Sequence, residues 1–415
     1  MKIERPRGTR DFLPEEMEKR REVEKRFREI VESFGYREVA TPTFEYSELF
    51  KRKSGEGIVE EMYIFQDKSK REIALRPELT APVIRMFVNE YSRPPKPIRV
   101  YYFGNCFRYE RPQKARYREF WQFGVELIGS ASYLADAEVI ILAYNMLKSL
   151  KIDFELNIGH VGILRKLLSP LGERASKAMR LIDKEDKKGL MQFFAEQNVG
   201  RDIEEKVYRI MELKGGKEVI KEAKEIVEFD FNDLERLLSL LESLSVDYIL
   251  NLGIARGLDY YTGTVFEFYA KDLGAQRQIC GGGSYELAQL FGGERTPATG
   301  FAIGFDRVCE LFSEVPKKSP VIVVVNFPGF ENFAFKVASK LRSKGLKVVV
   351  DVMERSLKRQ LSYANDIKAS YAILIGEEEV SRGEFKVKDL ATGKQFDVRA
   401  EDITTFLSEL MREGE

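Results

Sequence analysis

The apolar positions of this chain fall into three kinds of run. Residues 13–35, LPEEMEKRREVEKRFREIVESFG, place Val23, Phe27, Ile30, Val31 and Phe34 on one helical face. Acidic residues crowd the first turn and Gly35 follows the end, so the spacing predicts an amphipathic helix. Short strand-like runs follow in YREVATPTFEYSELF, EEMYIFQD and REIALRPEL, separated by turn residues. TAPVIRMFVNEYS reads as a helix and RPPKP as a break. IRVYYFGNCFRYE and REFWQFGVELIG are two longer strands flanking a basic loop, and a further helix covers about 133–150.

Proline usage then changes, because none of the 14 prolines lies between Pro170 and Pro297. Residues 161–228 read as Lys/Glu-rich helices, expected to form a helical insertion between a first part, 1–160, and a second, 229–315, of one domain. Strand patterns resume in RGLDYYTGTVFEFY and QRQICGGGSYELAQLFGG. SEVPKKSP, 313–320, reads as a linker. Beyond it strands and helices alternate: VIVVVNF, ENFAFKVASKLRSKG, LKVVVDV, ERSLKRQLSYANDIKA, YAILIG, then two more strands and a last helix. That pattern predicts an α/β domain over 320–415 with a parallel core. No G-x-G-x-x-G follows its first strand, so it is not read as a dinucleotide site.

Composition narrows the chemistry. At 415 residues the chain is long enough for two or three domains. Lys+Arg and Asp+Glu are both 67, so any nucleic-acid contact must come from local basic patches. The start has no signal-peptide core and no apolar run reaches the ~20 residues of a membrane span, so a cytoplasmic protein is expected. Cys106, Cys280 and Cys309 form no C-x-x-C pair, which points away from a disulfide framework or a cysteine zinc site. His160 is the only histidine. A multi-histidine metal site is therefore excluded, a Ser-His-Asp triad could use no other imidazole, and its place between a strand and a helix reads as structural.

The candidate chemistry lies in GNCFRYERPQKARYREFWQFGVELIG, residues 104–129. Side chains alternate along a strand. Phe120, Gln122, Gly124 and Glu126 therefore share one face, and Trp121, Phe123, Val125 and Leu127 the other. The second set reads as core. The first offers an aromatic platform, an amide, a gap and a carboxylate. Arg108 and Glu110 share a face of the preceding strand. The loop between carries Arg111, Lys114, Arg116 and Arg118, and arginines suit bidentate contact with phosphates. There is no G-x-x-x-x-G-K-[ST], so any ATP would not be held by a P-loop.

FRYERPQKARYREFWQFG resembles motif 2 of the class II aminoacyl-tRNA synthetases. GFAIGFDRVCELF, with Arg307, resembles motif 3, and GYREVATPTFEYSELFKRKSGE, with Pro42, resembles motif 1, the dimer-interface segment. The signature of the other synthetase class needs two histidines and is excluded. Within class II, RPELTAP and RGLDYYTGTVFEFY resemble sequences typical of the histidyl-tRNA synthetases, and the last domain resembles their anticodon-binding domain. One departure is GGGSYE: Ser284 and Glu286 stand where that family more often has Arg and Asp.

The resemblance implies an α+β fold: a catalytic domain with an antiparallel sheet and flanking helices, a helical insertion and a C-terminal α/β anticodon-binding domain. It implies activation of L-histidine by ATP and transfer to tRNA(His), by a homodimer. Glu126 and Tyr261 would grip the imidazole, with Tyr260 beside them, and Glu78, Thr80 and Gln122 would meet the α-amino group. Arg108 and Arg256 would be the catalytic pair at the substrate carboxylate and α-phosphate. Arg116 and Arg307 would hold the outer phosphates, Phe120 would stack under adenine, and Glu110 would help fix the nucleotide. Arg111, Gln113 and Lys114 would meet the tRNA acceptor end. Mg²⁺ would arrive with ATP, its protein ligands not assignable from sequence. The alternatives are a non-catalytic histidine-binding paralogue, the regulatory subunit of ATP phosphoribosyltransferase, and another class II enzyme such as a prolyl or glycyl synthetase. Against the first stand Arg108, Arg256, Arg307 and residues 320–415; against the second, the RGLDYYTG pocket.

Overall fold

The N-terminal amphipathic run forms helix α1 (Pro14–Ser33), with Val23, Phe27 and Val31 fully buried and Pro14 in its first turn. The computed structural model describes residues 3–110, 117–255, 260–271, 273, 277–315 and 320–413, with the side chains of 53–58 and 411–413 left aside. The next run divides into β1 (Arg37–Glu38) and β2 (Phe44–Tyr46), but its last four residues, read as strand from the sequence, open helix α2 (Ser47–Val59). Leu49 and Phe50 turn one helical face into a small cluster with Met62, Ala74 and Ala81, which four residues of apolar pattern could not distinguish from a strand. β3 (Ile64–Gln66) and β4 (Glu72–Leu75) complete a three-stranded antiparallel sheet in the order β2-β4-β3.

Helix α3 (Thr80–Glu90) leads to β5 (Ile98–Phe107) and β6 (Glu119–Ile128), antiparallel from Ile98↔Ile128 to Phe107↔Glu119. Helix α4 (Tyr133–Ser149) begins at Ser132, whose hydroxyl accepts the Leu134 N–H. β7 (Phe154–His160) hands over directly to α5 (Val161–Leu168). α6 (Ala175–Asp183), α7 (Lys187–Glu196), α8 (Arg201–Glu212), β8 (Lys214–Gly215), α9 (Val219–Ile226), α10 (Asn232–Ser243) and β9 (Ile249–Asn251) follow. Then come β10 (Tyr261–Ala270), β11 (Gln278–Tyr285), β12 (Ala298–Gly304) and α11 (Phe305–Leu311).

Among the described residues these strands make one nine-stranded sheet, ordered β1-β5-β6-β12-β11-β10-β7-β9-β8. Its centre, from β5 to β7, is antiparallel. Phe123, Val125 and Leu127 of β6 are buried, and the Phe123 ring meets Phe27 of α1 edge-on at 5.4 Å. One face of the sheet is thus closed by helices. Gln122 and Glu126 project from the other.

Two compact units divide the chain, Met1–Val315 and Pro316–Glu415. The second contains β13 (Val321–Asn326), α12 (Glu331–Arg342), β14 (Lys347–Val350), α13 (Leu357–Asp366), β15 (Tyr371–Ile375), α14 (Glu377–Arg382), β16 (Glu384–Asp389), β17 (Gln395–Arg399) and α15 (Ile403–Glu413). β14, β13 and β15 form the expected parallel core, extended antiparallel by β16 and β17. The six-residue α14, bracketed by Gly376 and Gly383, is too short to show a helical period and was not anticipated. No helix among the described residues is long and apolar enough to cross a membrane.

Candidate active site

The open face of the main sheet carries a cavity of about 670 Å³. Small residues floor it: Gly281 on β11, and Gly300, Ala302 and Gly304 on β12. Around that floor stand Glu78, Thr80, Arg108, Glu110, Phe120, Gln122, Glu126, Tyr260, Tyr261 and Arg307. Sequence reasoning had proposed all ten, drawn from five separate stretches of chain. Arg256 and the loop residues Arg111, Gln113, Lys114 and Arg116 lie outside the described residues.

One end of the cavity is organised by Glu126, whose side chain is buried at 1% exposure. The Tyr285 hydroxyl donates to its Oε2 at 2.6 Å and the Tyr102 hydroxyl to its Oε1 at 3.2 Å. Burial and the adjoining carboxylate hold both phenols far above their ordinary pKa, so they remain donors. Two glycines make this arrangement possible. A Cβ on Gly300 would collide with the Glu126 carboxylate, and one on Gly124 with the Tyr102 hydroxyl. Tyr260 and Tyr261 are buried together, ring centroids 4.6 Å apart, and Tyr260 meets Tyr285 edge-on at 5.9 Å. Glu78 accepts the backbone N–H groups of Thr80, at 2.7 Å, and Ala81, at 3.1 Å, and so anchors the start of α3.

The other end is cationic. Arg108 donates from Nε to the Pro77 carbonyl at 3.0 Å, and its guanidinium carbon lies 5.2 Å from the centroid of the Phe120 ring. Its Nη1 is 4.0 Å from Glu110. Arg307, in the first turn of α11, donates to the Gln278 carbonyl at 2.5 Å. Beside it Asp306 is buried and accepts from Arg20 at 2.6 Å, Arg10 at 3.0 Å and the Trp121 N–H at 2.6 Å. This one carboxylate ties the N-terminal segment and α1 to the strand that presents Phe120 and Gln122.

Three contributors were missed. Tyr102 and Tyr285 stand in stretches that had been read as strand, and Tyr102 lies opposite Gly124, whose missing Cβ leaves room for its hydroxyl. Alternation could have placed Tyr285, because it faces opposite to Ser284. Arg76 is the third: its guanidinium donates to the carbonyls of Asn105 (2.7 Å) and Thr41 (2.8 Å) and to Asn105 Oδ1 (3.0 Å). It thereby fastens the Pro42 segment to β5, the strand that leads to Arg108. The GGGSYE departure is also accommodated. Ser284 points to the helix-covered face and Glu286 pairs with Arg295 at 2.7 Å. His160 accepts the Gly162 N–H at 3.2 Å as the cap of α5, and burial pushes its pKa down to about 4.

A family model described as histidyl-tRNA synthetase matches residues 8–308, and one described as an anticodon binding domain matches 320–410. The chain belongs to the histidyl-tRNA synthetase family. It is 64% identical over 408 residues to the histidine–tRNA ligase of Archaeoglobus fulgidus, covering 98% of this chain and all of that one. With the Methanosarcina acetivorans ligase it shares 50% identity over 406 residues, 97% of this chain and 98% of the relative. The apo structure of S. aureus histidyl-tRNA synthetase superposes with a TM-score of 0.72 at 28% identity, covering 98% of this chain and 99% of that one. A Bacillus halodurans structure described as an ATP phosphoribosyltransferase regulatory subunit/histidyl-tRNA synthetase gives a TM-score of 0.76 at 27% identity, covering 88% of this chain and 96% of that one. The full-length ligase relatives favour the synthetase over the regulatory alternative. As a member of the histidyl-tRNA synthetase family the chain is an aminoacyl-tRNA synthetase, with a class II catalytic fold and a C-terminal anticodon-binding domain.

Proposed function

We propose that this chain activates L-histidine with ATP and passes the histidyl group to the 3′ end of tRNA(His), with the labour divided along the cavity. Glu126 carries the reading. Its buried carboxylate lines the cavity and is fixed by two phenols, and a carboxylate is an acceptor matched to a ring N–H. Glu126 and Tyr261 address the two imidazole nitrogens, Tyr260 packs beside them, and Glu78, Thr80 and Gln122 receive the α-amino group. A pocket that satisfies both ring nitrogens rejects side chains that leave its buried polar groups unpaired.

At the cationic end Arg108 and Arg256 hold the substrate carboxylate and α-phosphate. Arg116 and Arg307 take the outer phosphates, Phe120 supports the adenine and Glu110 helps fix the nucleotide. A histidine carboxylate oxygen attacks the α-phosphorus, forming the P–O bond of the adenylate as pyrophosphate leaves. A terminal ribose hydroxyl of tRNA then displaces AMP. The first step uses an anionic nucleophile, so it needs alignment and charge neutralisation more than a protein base. Mg²⁺ arriving with ATP would supply part of that neutralisation, and the Glu110 carboxylate on the cavity wall would suit it as a hard oxygen donor.

Arg111, Gln113 and Lys114 meet the acceptor end, residues 161–228 act as the helical insertion between catalytic parts 1–160 and 229–315, and 320–415 reads the anticodon. A cytoplasmic homodimer is part of the same reading. The exposed Phe44, Tyr46, Ile64 and Phe65 on the three-stranded sheet support it, as an apolar surface that a second copy would cover.

ATP–pyrophosphate exchange with each of the twenty amino acids tests the proposal. Exchange with histidine alone is expected. Exchange with another amino acid would overturn the roles of Glu126 and Tyr261, and histidine binding without any exchange would point to a regulator.

A further inference from the structure

Directly behind the amino-acid end of the cavity, on the helix-covered face, lies a second and smaller polar cavity of about 200 Å³. Asp136, His160, Asp233, Thr264, Ser284 and Glu286 border it. Asp136 comes from the first turn of α4 and is buried. The Ser284 hydroxyl lies 2.8 and 2.9 Å from its two carboxylate oxygens. Thr264 and Thr299 also face this carboxylate, although the buried Thr299 hydroxyl closes no well-formed hydrogen bond. Three hydroxyls from three neighbouring strands, β10, β11 and β12, thus converge on one carboxylate.

The strands need such a tie at this level. Between β10 and β11 the register jumps from Tyr261↔Tyr285 to Val265↔Gly283, so residues 262–264 lie opposite Ser284 alone and the regular ladder is broken. β11 itself carries three consecutive glycines, Gly281 to Gly283, which restrain its backbone little. Alternation then links the back face to the front. Tyr285, next to Ser284, donates to Glu126, and Gly300, next to Thr299, is the position whose missing Cβ admits the Glu126 carboxylate.

We propose that Asp136 is a positioning residue for amino-acid recognition: by clamping Ser284, with Thr264 and Thr299 around it, it fixes β11 and β12 so that Tyr285 and Gly300 hold Glu126 in place. The inference rests on the reading of Glu126 as the group that recognises the imidazole. A shift of a few tenths of an ångström in β11 would lengthen the 2.6 Å bond from Tyr285 and tilt the carboxylate. The nucleotide end, held separately through Asp306, would not feel it.

The test is exchange kinetics on the full chain, varying histidine at saturating ATP and ATP at saturating histidine. Asp136→Ala should raise KM for histidine about tenfold, through loss of hydrogen bonds to a charged group, and leave KM for ATP within about twofold. Asp136→Asn, whose side-chain carbonyl still accepts from Ser284, should return KM for histidine to within about threefold of the parent. Ser284→Ala should raise it about threefold. Equal rises in both KM values, or a KM for histidine unchanged in both Asp136→Ala and Ser284→Ala, would overturn the clamp. Should Asp136→Ala fail to fold, Ser284→Ala decides. If the parent enzyme exchanges with a different amino acid, the reading of Glu126 fails by itself, and the clamp is judged on KM for that amino acid.

Discussion

Two buried aspartates stabilise the two ends of β12, and they solve the cost of burying a carboxylate in opposite ways. Asp306, just beyond the strand's end, is surrounded by charge: two arginine side chains and one backbone N–H. Asp136, behind the strand's start, meets hydroxyls. Burial without a cation pushes the Asp136 carboxyl up to about 6, while its hydroxyl partners pull it partly back. The charged cluster makes a joint that is costly to break. The hydroxyl cluster leaves the buried charge less compensated and makes a joint more sensitive to protonation. The Arg108–Phe120 end of the cavity is therefore set by electrostatic pairing, and the Glu126 end by hydrogen-bond geometry.

The largest expected effect breaks the first joint. Asp306→Ala takes the carboxylate partner from the buried Arg20 and one of several acceptors from the half-buried Arg10, and should cost about 3–5 kcal/mol, read as a lowered midpoint of the main urea transition. Retention of parental stability would mean that the two arginines find other acceptors. Next comes Tyr285→Phe, which removes a hydrogen bond to a buried carboxylate. It should lower kcat/KM for histidine by about tenfold or more, from a bond of about 1.5–3 kcal/mol, with KM for ATP unchanged. Tyr102→Phe, at the longer 3.2 Å contact, should do less.

Acid stability sharpens the contrast further. His160 has a folded pKa of about 4, below its ordinary value, so between about pH 4 and 6.5 the unfolded chain binds more protons and stability falls as pH falls. Asparagine can also cap a helix, so His160→Asn should keep α5 and recover about 2 kcal/mol at pH 5 relative to the parent, measured as the pH dependence of unfolding. Asp136 has the opposite sign. Its folded pKa is raised to about 6, so between about pH 4 and 6 the native state binds more protons, and stability falls as pH rises. Asp136→Asn should therefore gain about 1–2 kcal/mol above pH 7 and flatten that limb of the profile. A loss of stability at pH 8 would show that the charge itself holds the hydroxyls.

What could be read from the sequence was mostly what lies close along the chain. The alternation in REFWQFGVELIG placed Gln122 and Glu126 on the open face and Phe123, Val125 and Leu127 in the core, because one strand carries that information itself. Arg307 and Tyr261 were legible through motif resemblance. The pattern could not supply partners remote in sequence. Ser284 and Asp136 are 148 residues apart, and Tyr285 and Glu126 are 159 apart, so neither pair leaves a local trace. The α2 error has a related cause. Residues 47–50 carry an apolar pair that fits either period, and only packing against Met62 and Ala74 selects the helix.

The contact between Gly300 and Glu126 also governs how this pocket could change its substrate. A larger residue at 300 has nowhere to go while a glutamate stands at 126, so, on the proposed reading of Glu126, that substitution alone would close the site to histidine without opening it to another amino acid. A shorter side chain at 126 would first have to clear the space, stranding two buried phenols as it did so. The paths from this specificity to a neighbouring one are thus ordered, and the first step along each is the one that does most harm.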